Sequence, residues 1–139
     1  MLKTLAAIMA ACLSGGALGG SSGGASWPAD TLPWRGLPGG DGIQVADVAG
    51  SLTAGGPYQA FVRFPAGRNN PPHTHGSDLP TVVLAGVFYA EAGGKRTLYP
   101  AGSYYLLPAE WPHASGCLPG ADCLLFQFQR DRFDLKPLR

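Results

Sequence analysis

The stretch PPHTHGSDLPTVVLAGVFYA, residues 71–90, decides the fold. Its first half holds two histidines, one residue apart, behind two prolines. Its second half, TVVLAGVFYA at 81–90, is an apolar run suited to a core. In an extended chain, residues i and i+2 project to the same face. On a strand, His73 and His75 therefore point the same way, and both imidazoles can reach one ion. The third and last histidine, His113, lies in PAEWPHASGC at 108–117, after the strand-like SYYLLP at 103–108. All three histidines thus fall at strand edges.

Working outward, the pattern stays one of short strands. IQVADVAG (43–50) reads as a strand. PYQAFVRFP (57–65) alternates, with Tyr58, Ala60, Val62 and Phe64 set against Gln59, Phe61 and Arg63. Further runs occupy 81–91, 95–99, 103–108 and 123–129. Between them stand PAGRNNPP, AEAGGK, YPAG and LPGAD, all turn chemistry. No window of a dozen residues keeps a helical period without a glycine or proline inside it. Short strands at regular spacing imply an all-β sandwich or barrel. WPADTLPWRGLPGGDG (27–42) is irregular, with prolines that exclude a helix. It is either a loose arm or a cover for a sheet edge through Trp27 or Trp34.

The 139 residues suit one domain. The net charge of +1, with no basic cluster, excludes an electrostatic footprint for nucleic acid or an anionic membrane. Glycine is dense in the first quarter of the chain, and the beginning reads as a targeting segment. Lys3 is the positive end. TLAAIMAACL (4–13) is apolar but too short to span a bilayer, and Ala17-Leu18-Gly19 fits a cleavage site. The expected organisation is a signal peptide at 1–19, a Gly/Ser linker at 20–26 and one domain at 27–139. The mature chain then has no transmembrane segment. It is periplasmic or secreted, and the compact leader suits a bacterium. A lipid anchor through Cys12 is the alternative.

Export changes how the other cysteines read. Cys117 and Cys123 flank LPGAD, a turn with Pro-Gly at its centre. In an oxidising compartment a disulfide is favoured. If the turn makes a hairpin, the two residues face each other across it. Two buried thiols, or a site of two cysteines and a histidine, are the alternatives.

These residues resemble the cupins, a superfamily of small β-barrels with a jelly-roll fold. The first cupin motif runs from a glycine through a His-x-His pair and a glutamate to a closing glycine. Here Gly67, His73, His75 and Gly86 fall in register, but Leu79 takes the glutamate position with Asp78 beside it. The second motif is matched by Gly102, Pro108 and His113. Glu110 stands at its inner glycine and Cys117 at its closing asparagine.

The resemblance implies one divalent transition metal on His73, His75 and His113, with Asp78 or Glu110 as a further ligand. Fe, Zn, Ni, Cu and Mn all suit imidazole donors, and loss of the carboxylate disfavours Mn. Trp111, two residues from His113, and Tyr104 are pocket candidates. Tyr104, Asp78 and Glu110 are also the candidate redox or proton-transfer partners. The resemblance implies a dioxygenase- or isomerase-like enzyme acting on a small chelating substrate, or else a non-catalytic binding or sensing barrel without essential metal. It also implies a homodimer.

Overall fold

In the strand Tyr58–Phe64, Tyr58, Ala60, Val62 and Phe64 are buried, while Gln59, Phe61 and Arg63 face outward. This is the alternation expected of a sheet with one face on a core. The computed structural model describes residues 24–139. The expected signal peptide at 1–19, and residues 20–23 of the expected linker, lie outside the described residues. No helix among the described residues is long and apolar enough to cross a membrane.

The strands are β1 (Arg35–Gly36), β2 (Gln44–Ala49), β3 (Tyr58–Phe64), β4 (Asn69–Thr74), β5 (Leu79–Ala85), β6 (Val87–Ala92), β7 (Lys95–Pro100), β8 (Tyr104–Leu107), β9 (His113–Cys117), β10 (Cys123–Gln129) and β11 (Lys136–Pro137). They form two antiparallel sheets. One has the order β1-β2-β3-β10-β5-β8, and the other β11-β4-β9-β6-β7. The inner faces close on a core that includes Val45, Tyr58, Phe64, Val83, Phe88 and Leu125. This is the all-β jelly roll implied by the cupin motifs.

Three local readings are corrected. The run 81–91 is two strands. Gly86, at φ +72°, ends β5 in one sheet and starts β6 in the other. PAGRNNPP is only partly turn, because β4 begins at Asn69. Its ladder with β9 breaks register between Asn70 and His73. The bulge accommodates Pro71 and Pro72, which have no N–H to offer a ladder. Cys117 and Cys123 are disulfide-bonded, with Cα atoms 5.8 Å apart, but not across a hairpin. Cys117 ends β9 in one sheet and Cys123 opens β10 in the other, so the bond staples the two sheets. Its short loop contributes about 2 kcal/mol by loop entropy.

The segment 27–42 does cover an edge. Arg35 and Gly36 pair with Val45 and Gln44 of β2. Trp34 rather than Trp27 is engaged there, with the Arg63 guanidinium 4.2 Å from its ring centroid. Arg63 thus points outward and takes no part in the interior.

Candidate metal centre

β4 and β9 lie side by side in one sheet, with His73 opposite His113. His75 follows β4 by one residue and shares the inward face with His73. The ligand atoms of His73, His75 and His113 all lie within 4.8 Å of one another, and the three side chains are almost fully buried.

The hydrogen bonds set the chemistry of the trio. Each Nδ1 faces a main-chain carbonyl: His73 that of Pro71 at 2.7 Å, His75 that of Asp134 at 2.6 Å, and His113 that of Trp111 at 2.9 Å. A carbonyl only accepts, so each Nδ1 carries the hydrogen and donates. Each neutral ring is left with an Nε2 lone pair. Nε2 of His113 is buried with no hydrogen-bond partner. Three oriented imidazoles with Nε2 lone pairs directed together are the donor set of a borderline metal ion. The carbonyls are the outer-shell acceptors that fix ligating histidines in their tautomer.

Two of these acceptors arise locally. In Pro71-Pro72-His73 and Trp111-Pro112-His113, the carbonyl two residues back is separated from the histidine by a proline. That proline supplies no N–H to a ladder, and the carbonyl turns to the ring. The repeated x-Pro-His pattern was legible in the sequence. The third acceptor was not. Asp134 comes from the C-terminal segment, which β11 ties to β4 through Lys136–Thr74 and Pro137–His73 pairing. The Asp134 carboxylate accepts the Gly76 N–H at 2.7 Å, and the Phe133 ring lies 5.2 Å from that of His75.

Burial disfavours the imidazolium forms. It pushes His75 down to about 4, and it lowers His73 and His113 as well, against the opposing pull of their carbonyl partners. The trio is therefore neutral at ordinary pH, as metal ligation requires.

The other residues named from the sequence fall elsewhere. Asp78 is exposed and accepts the Ala109 N–H at 2.8 Å. Glu110 is exposed and bonds Lys136 at 2.6 Å. Neither carboxylate joins the histidines. Asp78 instead holds the loop leading to Trp111, which is also tied by the Glu110 N–H to the His75 carbonyl at 2.8 Å. Glu110 has φ +56°, which explains why the family motif has glycine there. Leu79, at the motif's glutamate position, is buried and lines the cavity, placing an apolar side chain where the family has a carboxylate. Tyr104 is 58% exposed on the outer face. Its neighbour Tyr105 is the inward one. Trp111, 39% exposed, stacks on His113 at 5.5 Å and covers it from outside.

A cavity of about 350 Å³ opens beside His73 and His75. Its apolar walls include Val62, Phe64, Leu79, Phe88, Leu107 and Phe133. Asn70, Tyr105, Ser115 and Gln127 also line it; sequence reasoning missed Asn70, Ser115 and Gln127 and did not decide between Tyr104 and Tyr105. Alternation in SYYLLP puts Tyr105 and Leu107 on one face, but the period alone does not say which face is inside.

The sequence profile of the ChrR cupin-like domain matches residues 23–131. No curated protein matches the chain. Among solved structures, KdgF from Halomonas sp. is 22% identical. The match covers 79% of this chain and 96% of that one, with a TM-score of 0.61. A chain of the Rhodobacter sphaeroides SigE complex with the anti-sigma ChrR is 25% identical. That match covers 73% of this chain and 51% of that one, with a TM-score of 0.59. The polyketide cyclase RemF from Streptomyces resistomycificus is 16% identical. There 79% of this chain and 82% of that one are covered, with a TM-score of 0.67.

Proposed function

Because the chain belongs to the ChrR cupin-like domain family, we propose that it is an exported cupin. In this reading it holds one divalent transition metal and takes a small chelating molecule into its barrel. The observation that carries this is the trio of Nδ1–H bonds to carbonyls, which leaves three Nε2 lone pairs in one buried cluster. His73, His75 and His113 hold the ion. When bound, it supplies Lewis acidity and open positions for substrate oxygens. The protein positions the ligand, and its apolar walls exclude water. Fe, Zn, Ni and Cu fit the all-imidazole set better than Mn.

Two catalytic chemistries were expected of such a site. Isomerisation needs a side chain to carry a proton, yet Asp78, Glu110 and Asp134 are each engaged by other groups, Tyr104 is on the outer face, and burial holds the Tyr105 hydroxyl in its protonated form. Dioxygenase-type chemistry, with molecular oxygen as the oxidant and Fe, Ni or Cu rather than redox-inert Zn in the site, would ask of the side chains only position and exclusion of water, so it is the catalytic form proposed. The second reading is a sensing barrel whose ligand state is read by a protein partner. The match to a chain from the SigE complex with the anti-sigma ChrR favours it. Oxygen consumption with a chelating substrate separates the two.

Export rests on residues 1–19 and on the Cys117–Cys123 disulfide, since such bonds persist in oxidising compartments.

Elemental analysis of the purified protein tests the metal reading. Near one equivalent of Fe, Zn, Ni or Cu is expected in the parent, and none in a His73→Ala/His75→Ala variant. No uptake by the parent after reconstitution with these ions would refute it.

The chain is also proposed to pair with a second copy through the outer face of its larger sheet. Phe61, Val82, Leu84, Leu106, Phe126 and Phe128 project there. Across β3, β10, β5 and β8 the one charged outward side chain is Arg63, which is engaged by Trp34 and Gln44. Two copies can therefore meet without like-charge repulsion, and a contiguous apolar face of this kind marks an interaction surface. Sedimentation velocity is expected to give a dimer for the parent and a monomer for Phe128→Glu. A monomeric parent would end the idea.

A further inference from the structure

Four buried polar side chains in the cavity are not used by the metal site. Asn70, Tyr105, Ser115 and Gln127 are 9%, 5%, 3% and 5% exposed, and all line the cavity. The side chains of Asn70, Ser115 and Gln127 form no hydrogen bond with another described residue. The Tyr105 hydroxyl lies toward Thr81 without completing a bond. Asn70 faces Ser115 across the β4–β9 ladder, in the same ladder as His73 and His113. Gln127 approaches from the opposite sheet, between Ala60 and Thr81. The group therefore forms an uncharged hydrogen-bonding wall close to the histidines. Of the four, the Tyr105 hydroxyl is fully buried without a partner, and Asn70, Ser115 and Gln127 line the cavity beside it; a ligand that pairs with them is favoured over one that leaves them unpaired.

The charged residues lining the cavity are Arg68 and Asp134, and both are already engaged. The Arg68 guanidinium donates to the main-chain carbonyls of Asp41 and Asn69 and lies 4.0 Å from the Asp41 carboxylate. The Asp134 carboxylate holds the Gly76 N–H and lies 3.8 Å from the Lys136 ammonium. A charge carried into this cavity away from the ion would be buried without a counter-charge.

We infer that the ligand is a small, oxygen-rich chelator that is uncharged away from its chelating head. Hydroxy-ketones bearing a hydroxyl or amide at the far end are the matching class. This rests on the metal reading above, and it adds that the Asn70, Tyr105, Ser115 and Gln127 wall sets the specificity.

Two hydroxypyranones with the same chelating head test it. Kojic acid carries a neutral hydroxymethyl group, and comenic acid has a carboxylate in its place. Calorimetric titration of zinc-loaded protein is expected to show kojic acid binding at least tenfold more tightly. Gln127→Leu and Asn70→Leu should each weaken kojic acid about tenfold, as loss of a buried hydrogen bond predicts. They should leave zinc content and comenic acid binding unchanged. Equal or tighter binding of comenic acid would make Arg68 an anion receptor and overturn the inference, as would variants that keep full affinity for kojic acid. A parent that takes up no zinc would refute the metal reading separately. The same titration on metal-free protein then decides the wall alone: a kojic acid preference lost in Gln127→Leu upholds it, and no preference overturns it.

Discussion

Stripping the ion from metal-loaded protein with a chelator is expected to lower the thermal midpoint by about 10–15 °C at neutral pH. A ligand that binds only the folded state, at free concentrations of 100 to 1,000 times its Kd, stabilises by about 3–4 kcal/mol. For a domain of this size that converts to roughly such a shift. The metal-free domain is then expected to lose stability as the pH falls from the ordinary histidine value of 6.5 toward about 4. Burial holds His75 down to about 4 in the folded chain and lowers His73 and His113 in the same sense. The unfolded chain therefore takes up protons first, and acid favours it. His75 alone contributes on the order of 3 kcal/mol across that window. Differential scanning fluorimetry at stepped pH measures both effects, and His75→Gln should flatten the slope. A metal-free midpoint that stays level from pH 6.5 to pH 4 would show that the imidazoles are not held as buried neutral bases.

Gly86→Ala is expected to destabilise the domain by about 3 kcal/mol or more. The residue has φ +72°, where an alanine strains the backbone by roughly 1–2 kcal/mol. An added Cβ would also sit 2.6 Å from the Asp122 carbonyl oxygen and 2.9 Å from both Cα and Sγ of Cys123. Two of these three contacts are with main-chain atoms beside the disulfide, so relief requires moving the start of β10. Overpacking of this kind adds about 1–3 kcal/mol. Gly86 is where the chain leaves one sheet for the other, and the strain falls on the joint between them. Urea unfolding gives the value. A loss below about 1 kcal/mol would show that the joint relaxes, and that Gly86 is not required where β5 passes into β6.

Much of the fold was legible because it rests on local pattern. The alternation of Tyr58, Ala60, Val62 and Phe64 follows from the two-residue period of a strand. The register of Gly67, His73, His75, Gly86, Gly102 and His113 pointed to the jelly roll and to three histidines in one place. What failed was phase and partnership. Tyr104 and Tyr105 are adjacent, and the period places one of them inside without saying which. Only the pairing of β8 with β5 decides for Tyr105. Asp78 and Glu110 were plausible ligands by proximity in sequence. Asp78, just before β5, instead accepts the Ala109 N–H, and Glu110, in the loop after β8, meets Lys136.

The sequence by itself determined the strand pattern of β2, β3, β8 and β10, the prolines before His73 and His113, and the identity of the three imidazoles. These depend on dihedral preferences and periodicities a few residues long. The tertiary structure alone decided that Cys117 and Cys123 join two sheets and that Asp134 orients His75 from 59 residues away. It also decided that Asn70, Ser115 and Gln127 meet in one cavity. Each of these depends on how one sheet, or the chain's last segment, is laid against another. That arrangement is set by burial of the whole core rather than by any single stretch of chain.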